Sequence, residues 1–403
     1  MTSKSARVVL VHRYFWPDTS PYGLLLRSIA EHVADQNFQV EVFTGKPTYS
    51  QSSSKTPRHQ KLSTNLNVTR CWLISEARFR SVLRFANDLL FCFRLALFLL
   101  WRRPDLVMCS TQPPVLGAAT ASMVSRLVRA KFVYHVQDIY PEVVCETGHV
   151  KNSFAMRLLK FIDRRTMRRA DKIVVLSDDM AETIQLREPS ASNKTSVIPN
   201  FNLPQFDESE VSIADEMRKT EGRFRLIFGG NVGRFQNLDE IVDACMMIDQ
   251  PMEFVLLGDG KAKADLQEKA NGDDRIVFIP RQPMTIAGPL MAKADMCVVS
   301  LEAKVYRYAF PSKLASYLSL GSAVLVVCED DSQLSKLAVD NGFGLACSQD
   351  SVQAIRDKIQ WAIEHPDEVT AMRANATSFF DNNFATAAVF PKWIQLITSL
   401  LDG

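Results

Sequence analysis

Short apolar runs that stop at a small or polar residue, each followed by a helical stretch, recur along this chain and leave few folds open to it. In the second half, KIVVLSDDM from Lys172 is followed by IPNFN, IFGGNVGRFQNLDEIVDA, VLLGDG and FPSKLASYLSLGSAVLVV. In the first half, ARVVLVH, FQVEVFTG, NVTRCWLI, PDLVMCS and AKFVYHVQD read as strands. Helices over Tyr22 to Gln36, Val82 to Trp101 and the basic Asn152 to Ala170 lie between them. Alternation of this kind predicts parallel βαβ units in a doubly wound α/β architecture. Lys46 to Lys61, rich in Ser, Pro and Thr, reads as a loop. The final stretch from Ala376 reads as two helices interrupted before Pro391.

The pattern lapses between Asn200 and Arg223, where Pro204 and acidic and polar residues intervene before FRLIFGG restarts it. With 403 residues, enough for two full cores, this predicts a domain over 1–200 and another over 201–380. Residues 381–403 are expected to form a helix crossing back to the first. An apolar fraction of 47% argues against disorder, and a net charge of +2 excludes bulk nucleic-acid binding. Cys71, Cys92, Cys109, Cys145, Cys245, Cys297, Cys328 and Cys347 form no CxxC and mostly sit in apolar runs. They read as reduced core thiols of a cytoplasmic protein. MTSKS leads straight into the strand at Arg7, leaving no room there for a signal peptide.

Val82 to Trp101 is nearly long enough to span a bilayer but carries Arg84, Asp88 and Arg94. Arg80, Arg84, Asn87, Asp88 and Arg94 lie near one stripe and leave a wide apolar arc, with Arg102 and Arg103 at its end. A helix packed on the domain core is the first reading, and an arc docked on anionic lipid the second.

Strands of an open parallel sheet present their carboxyl ends to one crevice, so the polar residues ending each run should converge on a ligand. Gly230 and Gly233 in GGNVG follow a strand and precede a helix, a setting in which backbone N–H groups face phosphate, and Arg234 could add a fork. Asn231 occupies the place of the second Gly of a dinucleotide fingerprint, against a dehydrogenase. Pro311 fits the first position of a helix that buries Leu314, Tyr317 and Leu318. Lys313 in its first turn opposes the helix dipole unless an anion is present. Gly258 opens a turn after EFVLL. His135 and Gln137 share a strand face that ends at Asp138, with Glu142 one turn on, where an acceptor hydroxyl could be oriented or deprotonated. Asp178 and Asp179 follow Ser177 at a helix start and read as dipole-compensating residues rather than metal ligands. No required metal or cofactor is expected.

Tyr14-Phe-Trp-Pro-Asp18, Asp138-Ile-Tyr-Pro141, Ile198-Pro-Asn200, Gly230-Asn-Val-Gly-Arg-Phe-Gln236 and Pro311-Ser-Lys313, in this order, resemble glycosyltransferase family 4 and its bacterial surface-polysaccharide enzymes. The resemblance implies the GT-B fold, two Rossmann-like doubly wound domains facing across a cleft. It also implies retaining transfer from a nucleotide diphosphate sugar, with uridine favoured and guanosine the alternative. The donor would meet Gly230, Asn231, Gly233, Arg234, Gln236, Gly258, Arg281, Tyr308, Pro311, Ser312, Lys313 and Ser316. Asn231 and Gln236 replace a usual Arg and Lys, and Tyr308 and Ser316 replace two usual Glu. Asp138, then His135, would serve catalysis, and Trp16, Asp18, Tyr22 and Gly23 would line the acceptor side. A saccharide on a lipid would be the acceptor, at the inner face of the plasma membrane. A non-hydrolysing epimerase of the same fold and a degenerate, non-catalytic partner subunit are the alternatives.

Overall fold

The computed structural model describes residues 5–18, 20–47, 56–74, 81–146, 154–202, 217, 219–233 and 236–402. Arg80, Arg234 and most of the 200–223 lapse fall outside them. The chain divides into two compact units, 1–199 with 389–403, and 200–388.

The first unit holds an eight-stranded sheet in the order β3-β4-β2-β1-β5-β6-β7-β8. Its strands are β1 (Arg7–Val11), β2 (Gln39–Gly45), β3 (His59–Lys61), β4 (Leu66–Cys71), β5 (Leu106–Ser110), β6 (Lys131–His135), β7 (Lys172–Val175) and β8 (Thr195–Val197). Every pairing is parallel except β3 with β4. Part of the segment read as a loop up to Lys61 is thus an edge strand. The helices are α1 (Pro21–Asp35), α2 (Ser81–Arg102), α3 (Leu116–Val128), α4 (Glu142–Glu146), α5 (Phe154–Arg169) and α6 (Asp178–Arg187). Val8–Val11 and all of β5 are buried, as strands covered on both faces must be.

The second unit holds a six-stranded parallel sheet in the order β11-β10-β9-β12-β13-β14. Its strands are β9 (Phe224–Gly229), β10 (Met252–Leu257), β11 (Ile276–Ile279), β12 (Met296–Ser300), β13 (Ala323–Val327) and β14 (Gly344–Cys347). Its helices are α7 (Leu238–Met246), α8 (Lys263–Ala270), α9 (Met284–Ala292), α10 (Ser312–Ser319), α11 (Gln333–Asp340), α12 (Val352–Glu364) and α13 (Pro366–Asn383). Alternate residues of β9 go to opposite faces: Ile227 joins the core with Leu314 and Leu318, and Leu226 and Phe228 join the core with Ile241 and Ile355.

The last helix, α14 (Thr386–Leu401), belongs to the first unit from Val389 onward. The break before it lies at Phe384 and Ala385, and Pro391 is inside the helix rather than at its start. By length and composition Pro366–Leu401 could cross a membrane. Folded, it is two helices, and α14 buries Val389, Trp393, Leu396 and Ile397. Of the eight cysteines, seven have described side chains, all free and buried.

Helix α2 corrects the simple stripe reading. Asn87 is fully buried, its amide donating to the Ile74 carbonyl and its carbonyl accepting from the Ile74 N–H, both at 2.9 Å. Asp88 forms an ion pair with buried Arg13. These polar groups face inward because they satisfy backbone and charge there. Phe91, Leu95 and Leu99 fill the core beside them, and a separate row of apolar side chains is left outside.

Candidate functional site

The carboxyl edge of the second sheet gathers the glycines and Lys313. Strands β9 and β12 are neighbours whose onward connections run to opposite sides of the sheet, so the loops after them part and leave a crevice. Gly230 has φ +120° and Gly258 φ +151°, conformations a side chain rarely adopts. A Cβ on Gly258 would lie 1.8 Å from the Gly230 carbonyl oxygen. The two loops are stacked backbone on backbone: Gly230 N–H donates to Leu257 C=O at 2.8 Å and Val232 N–H to Asp259 C=O at 3.1 Å. From below, the Tyr317 hydroxyl accepts the Gly229 N–H at 2.9 Å. Gln236 Oε1 accepts the Gly233 N–H at 2.9 Å, so this side chain shapes the loop. Gly230 and Asn231 are the exposed part of it, and the Asn231 N–H has no partner among the described residues.

Lys313 completes this corner. Pro311 is the cap residue of α10, one position earlier than expected, and Ser312 and Lys313 begin the helix. The Lys313 side chain bends inward, with Nζ 3.6 Å from the centroid of Phe228. A Cβ on Gly230 would come within 3.0 Å of Lys313 Cε. No carboxylate among the described residues pairs with the ammonium. Burial pushes its pKa down to about 7. A cation with no described counterion, beside exposed backbone at a helix start, could receive an anion.

The other residues expected there are placed unevenly. Tyr308 follows a short 3-10 turn and donates its N–H to Val305 C=O at 2.9 Å. Ser316 Oγ donates to Ser312 C=O, 3.4 Å away on its own helix. The Arg281 N–H donates to Asp259 Oδ2 at 3.0 Å, and Asp259 also pairs with Lys263. That leaves Arg281 its carbonyl and exposed side chain. Arg234 lies outside the described residues.

At the carboxyl edge of the first sheet, His135 ends β6. Gln137 Nε2 donates to His135 Nε2 at 2.7 Å, and His135 Nδ1 meets the Tyr22 hydroxyl at 2.8 Å. A neutral imidazole donates through one nitrogen and accepts through the other, so both are engaged. Trp393 of α14 closes one side, 4.7 Å between ring centroids, and His12 lies 4.6 Å from Tyr22. Burial pushes His12 and His135 down to about 3, holding both neutral, with His135 adding to the effect on His12. Asp138 lies three residues on, partly exposed and hydrogen-bonded to no described side chain. Burial pushes it up to about 6.

A cluster that sequence reasoning missed holds the Asp138 loop. Arg187 donates to the Tyr140 carbonyl at 3.0 Å and forms ion pairs with Glu142 and Asp163. Asp163 also accepts from the Tyr134 hydroxyl at 2.9 Å, and Lys160 reaches Glu142 at 3.3 Å. The available signal was Asp163 itself, the one acidic residue of a basic helix. Asp178 and Asp179 stand in the first turn of α6, where Ser177 Oγ accepts the Met180 N–H at 3.2 Å.

The 16–23 loop splits. Tyr22 joins His135, and the Trp16 ring lies under the Arg27 guanidinium at 4.5 Å. Asp18 is fully buried, its charge favouring buried Arg70, which donates to the Trp16 carbonyl at 2.9 Å. A Cβ on Gly23 would lie 2.5 Å from Ser20 Oγ and 3.1 Å from the Tyr14 carbonyl oxygen, so the glycine lets the loop pack closely. Asp18 and Gly23 thus hold the loop from within.

Two family descriptions match the chain: "Glycosyl transferase 4-like domain" over residues 23–200 and "Glycosyl transferases group 1" over residues 223–365. The probable glycosyltransferase WbjE of Pseudomonas aeruginosa is 25% identical over 311 residues, 75% of this chain and 76% of that one. The putative colanic acid biosynthesis glycosyl transferase WcaI of Escherichia coli K12 is 22% identical over 385 residues, 91% of this chain and 94% of that one. Among solved structures, sucrose-phosphate synthase from Thermosynechococcus elongatus matches with a TM-score of 0.76 at 15% identity, covering 98% of this chain and 99% of that one. Anabaena HepE in complex with UDP matches with a TM-score of 0.70 at 14% identity, covering 98% and 100%. Two sheets of parallel strands, the first with one antiparallel edge strand, matched over nearly their whole length by these solved structures, give the GT-B fold, and the chain belongs to the family-4 glycosyltransferases.

Proposed function

We propose that this glycosyltransferase moves a sugar from a uridine diphosphate sugar, with retention of configuration, to a hydroxyl of a lipid-linked saccharide in cell-surface polysaccharide synthesis. The observation that carries the donor half is Lys313, a cation with no carboxylate partner among the described residues, against Phe228 beside Gly230 and an Asn231 N–H that no described residue engages. These donors would meet the diphosphate and stabilise the charge that grows on it as the sugar departs, with Arg234 as a further partner. Uridine is favoured over guanosine because a neighbour of the same fold binds UDP. Tyr308 and Ser316, standing where many relatives carry Glu, would offer hydroxyls to the sugar and ribose. Arg281 would meet the base through its carbonyl.

In the first unit, Asp138 is the residue we assign to the acceptor hydroxyl. Its carboxylate is ionised above about pH 6 and carries no competing bond to a described side chain. His135, with both nitrogens engaged, acts through Tyr22 and holds it at the acceptor side with Trp16. The names of WbjE and WcaI support surface polysaccharide as the product class, and the enzyme would work as a peripheral protein at the inner face of the plasma membrane.

The test is transfer from UDP-sugars onto lipid-linked saccharides extracted from membranes, with the anomeric configuration of the product read by NMR. A retained anomer is expected. The pH profile of kcat/KM should rise through about pH 6, and Asp138→Asn should remove that limb and lower kcat roughly 100-fold. An inverted product would overturn retention. An epimerised nucleotide sugar formed without acceptor would replace the transferase reading altogether.

A further inference from the structure

Three helices lie side by side on one face of the first sheet, α3 packing against α2 on one flank and α5 on the other. Each leaves apolar side chains outside at one-turn spacing. On α2 these are Phe85, Leu89, Phe93, Leu97 and Trp101, with Phe93 62% and Trp101 72% exposed. On α3 they are Met123 and Leu127. On α5 they are Phe154, Leu158 and Phe161, with Phe154 77% exposed. Isolated exposed apolar residues are ordinary, but a continuous field across three adjacent helices is the mark of an interaction surface.

On the three helices themselves, the exposed charges among the described side chains have one sign. The only acidic residues on the three helices with described side chains are Asp88 and Asp163, and both are turned inward onto Arg13 and Arg187. Arg126, Arg129, Arg157, Arg165 and Arg169 are exposed, and none pairs with a described carboxylate. Arg102, ion-paired with Glu41 at 2.9 Å, lies 4.4 Å from the centroid of Trp101 at the far end of the α2 row. Aromatic and aliphatic side chains flanked by arginines, with no exposed carboxylate among them, match the apolar edge and negative headgroups of a bilayer.

We propose that the outer face of α2, α3 and α5 docks this enzyme flat onto an anionic lipid surface, its apolar rows entering the headgroup boundary and its arginines meeting lipid phosphates. This deepens the lipid-linked acceptor reading above, but the surface stands on its own side chains.

The experiment is flotation of the full-length protein, without donor or acceptor, on phosphatidylcholine vesicles with and without phosphatidylglycerol. Co-flotation is expected with the anionic vesicles only and should weaken with salt. Arg126→Gln/Arg157→Gln/Arg165→Gln should reduce it roughly 100-fold, about fivefold per charge. Phe93→Ser/Leu97→Ser/Trp101→Ser should abolish it. All six side chains are off the core, so circular dichroism and UDP binding should be unchanged in both variants, which separates this test from the donor assignment. Absence of flotation, or flotation indifferent to both triple variants, overturns the proposal. So does a stable dimer that the apolar triple variant dissociates, which would give this face to a second copy of the chain.

Discussion

At the scale of the residue, Lys313 has two competing requirements. Half-buried and packed over Phe228 with no described carboxylate, its ammonium loses solvation, and its pKa falls from the usual lysine range to about 7. The sign follows from proton counting. The folded group binds protons less readily than the unfolded one, so the full destabilisation is present below about pH 7 and is relieved as pH rises toward 10.5. On the proposed reading, a bound diphosphate would reverse the preference by supplying the missing charge, so above about pH 7 binding would draw a proton in. UDP affinity measured by calorimetry should therefore fall above about pH 7, by up to about tenfold per pH unit. In Lys313→Ala the affinity should drop roughly 10- to 100-fold and that slope should vanish. An affinity flat with pH in the unaltered enzyme would show that the lysine does not meet the phosphate.

At the scale of the element, the loops after β9 and β10 work as one piece because their backbones touch. Gly258→Ala would place a methyl 1.8 Å from the Gly230 carbonyl oxygen, at a φ of +151° that a side chain rarely adopts. The expected result is a loss of about 1–3 kcal/mol in chemical unfolding of the second unit, with UDP binding lost even where the variant folds. A stable variant that binds UDP normally would refute this coupling. The same elements show what could be read from the chain alone. Strand positions were legible because both-face burial leaves an uninterrupted apolar run, as in Val298 and Val299 of β12 or Val324 to Val327 of β13. Helix α2 was less legible: Asn87 and Asp88 look like a solvent stripe until Ile74 and Arg13, distant in sequence, are seen to engage them. His135 with Tyr22, and Arg187 with Asp163, escaped for the same reason, since these partners are 113 and 24 residues apart. The GGN and PSK segments were recognisable from short local spacing, but the inward turn of Lys313 over Phe228 was not, because nothing local decides whether a first-turn lysine bends to water or to a ring.

At the scale of the whole molecule, each unit concentrates its unusual groups at the carboxyl edge of its own sheet. The second offers a cation with no described counterion and exposed backbone, and the first a carboxylate raised to about 6 and two imidazoles held neutral by burial. On the function proposed above, the nucleotide would go to the second unit and the acceptor hydroxyl to the first. Hydrogen–deuterium exchange with and without UDP tests that assignment most directly, because it reports every amide at once. Protection is predicted in 229–233, 257–260 and 302–316, with 12–23 and 134–142 unchanged. Protection confined to the first unit, or none at saturating UDP, would contradict it.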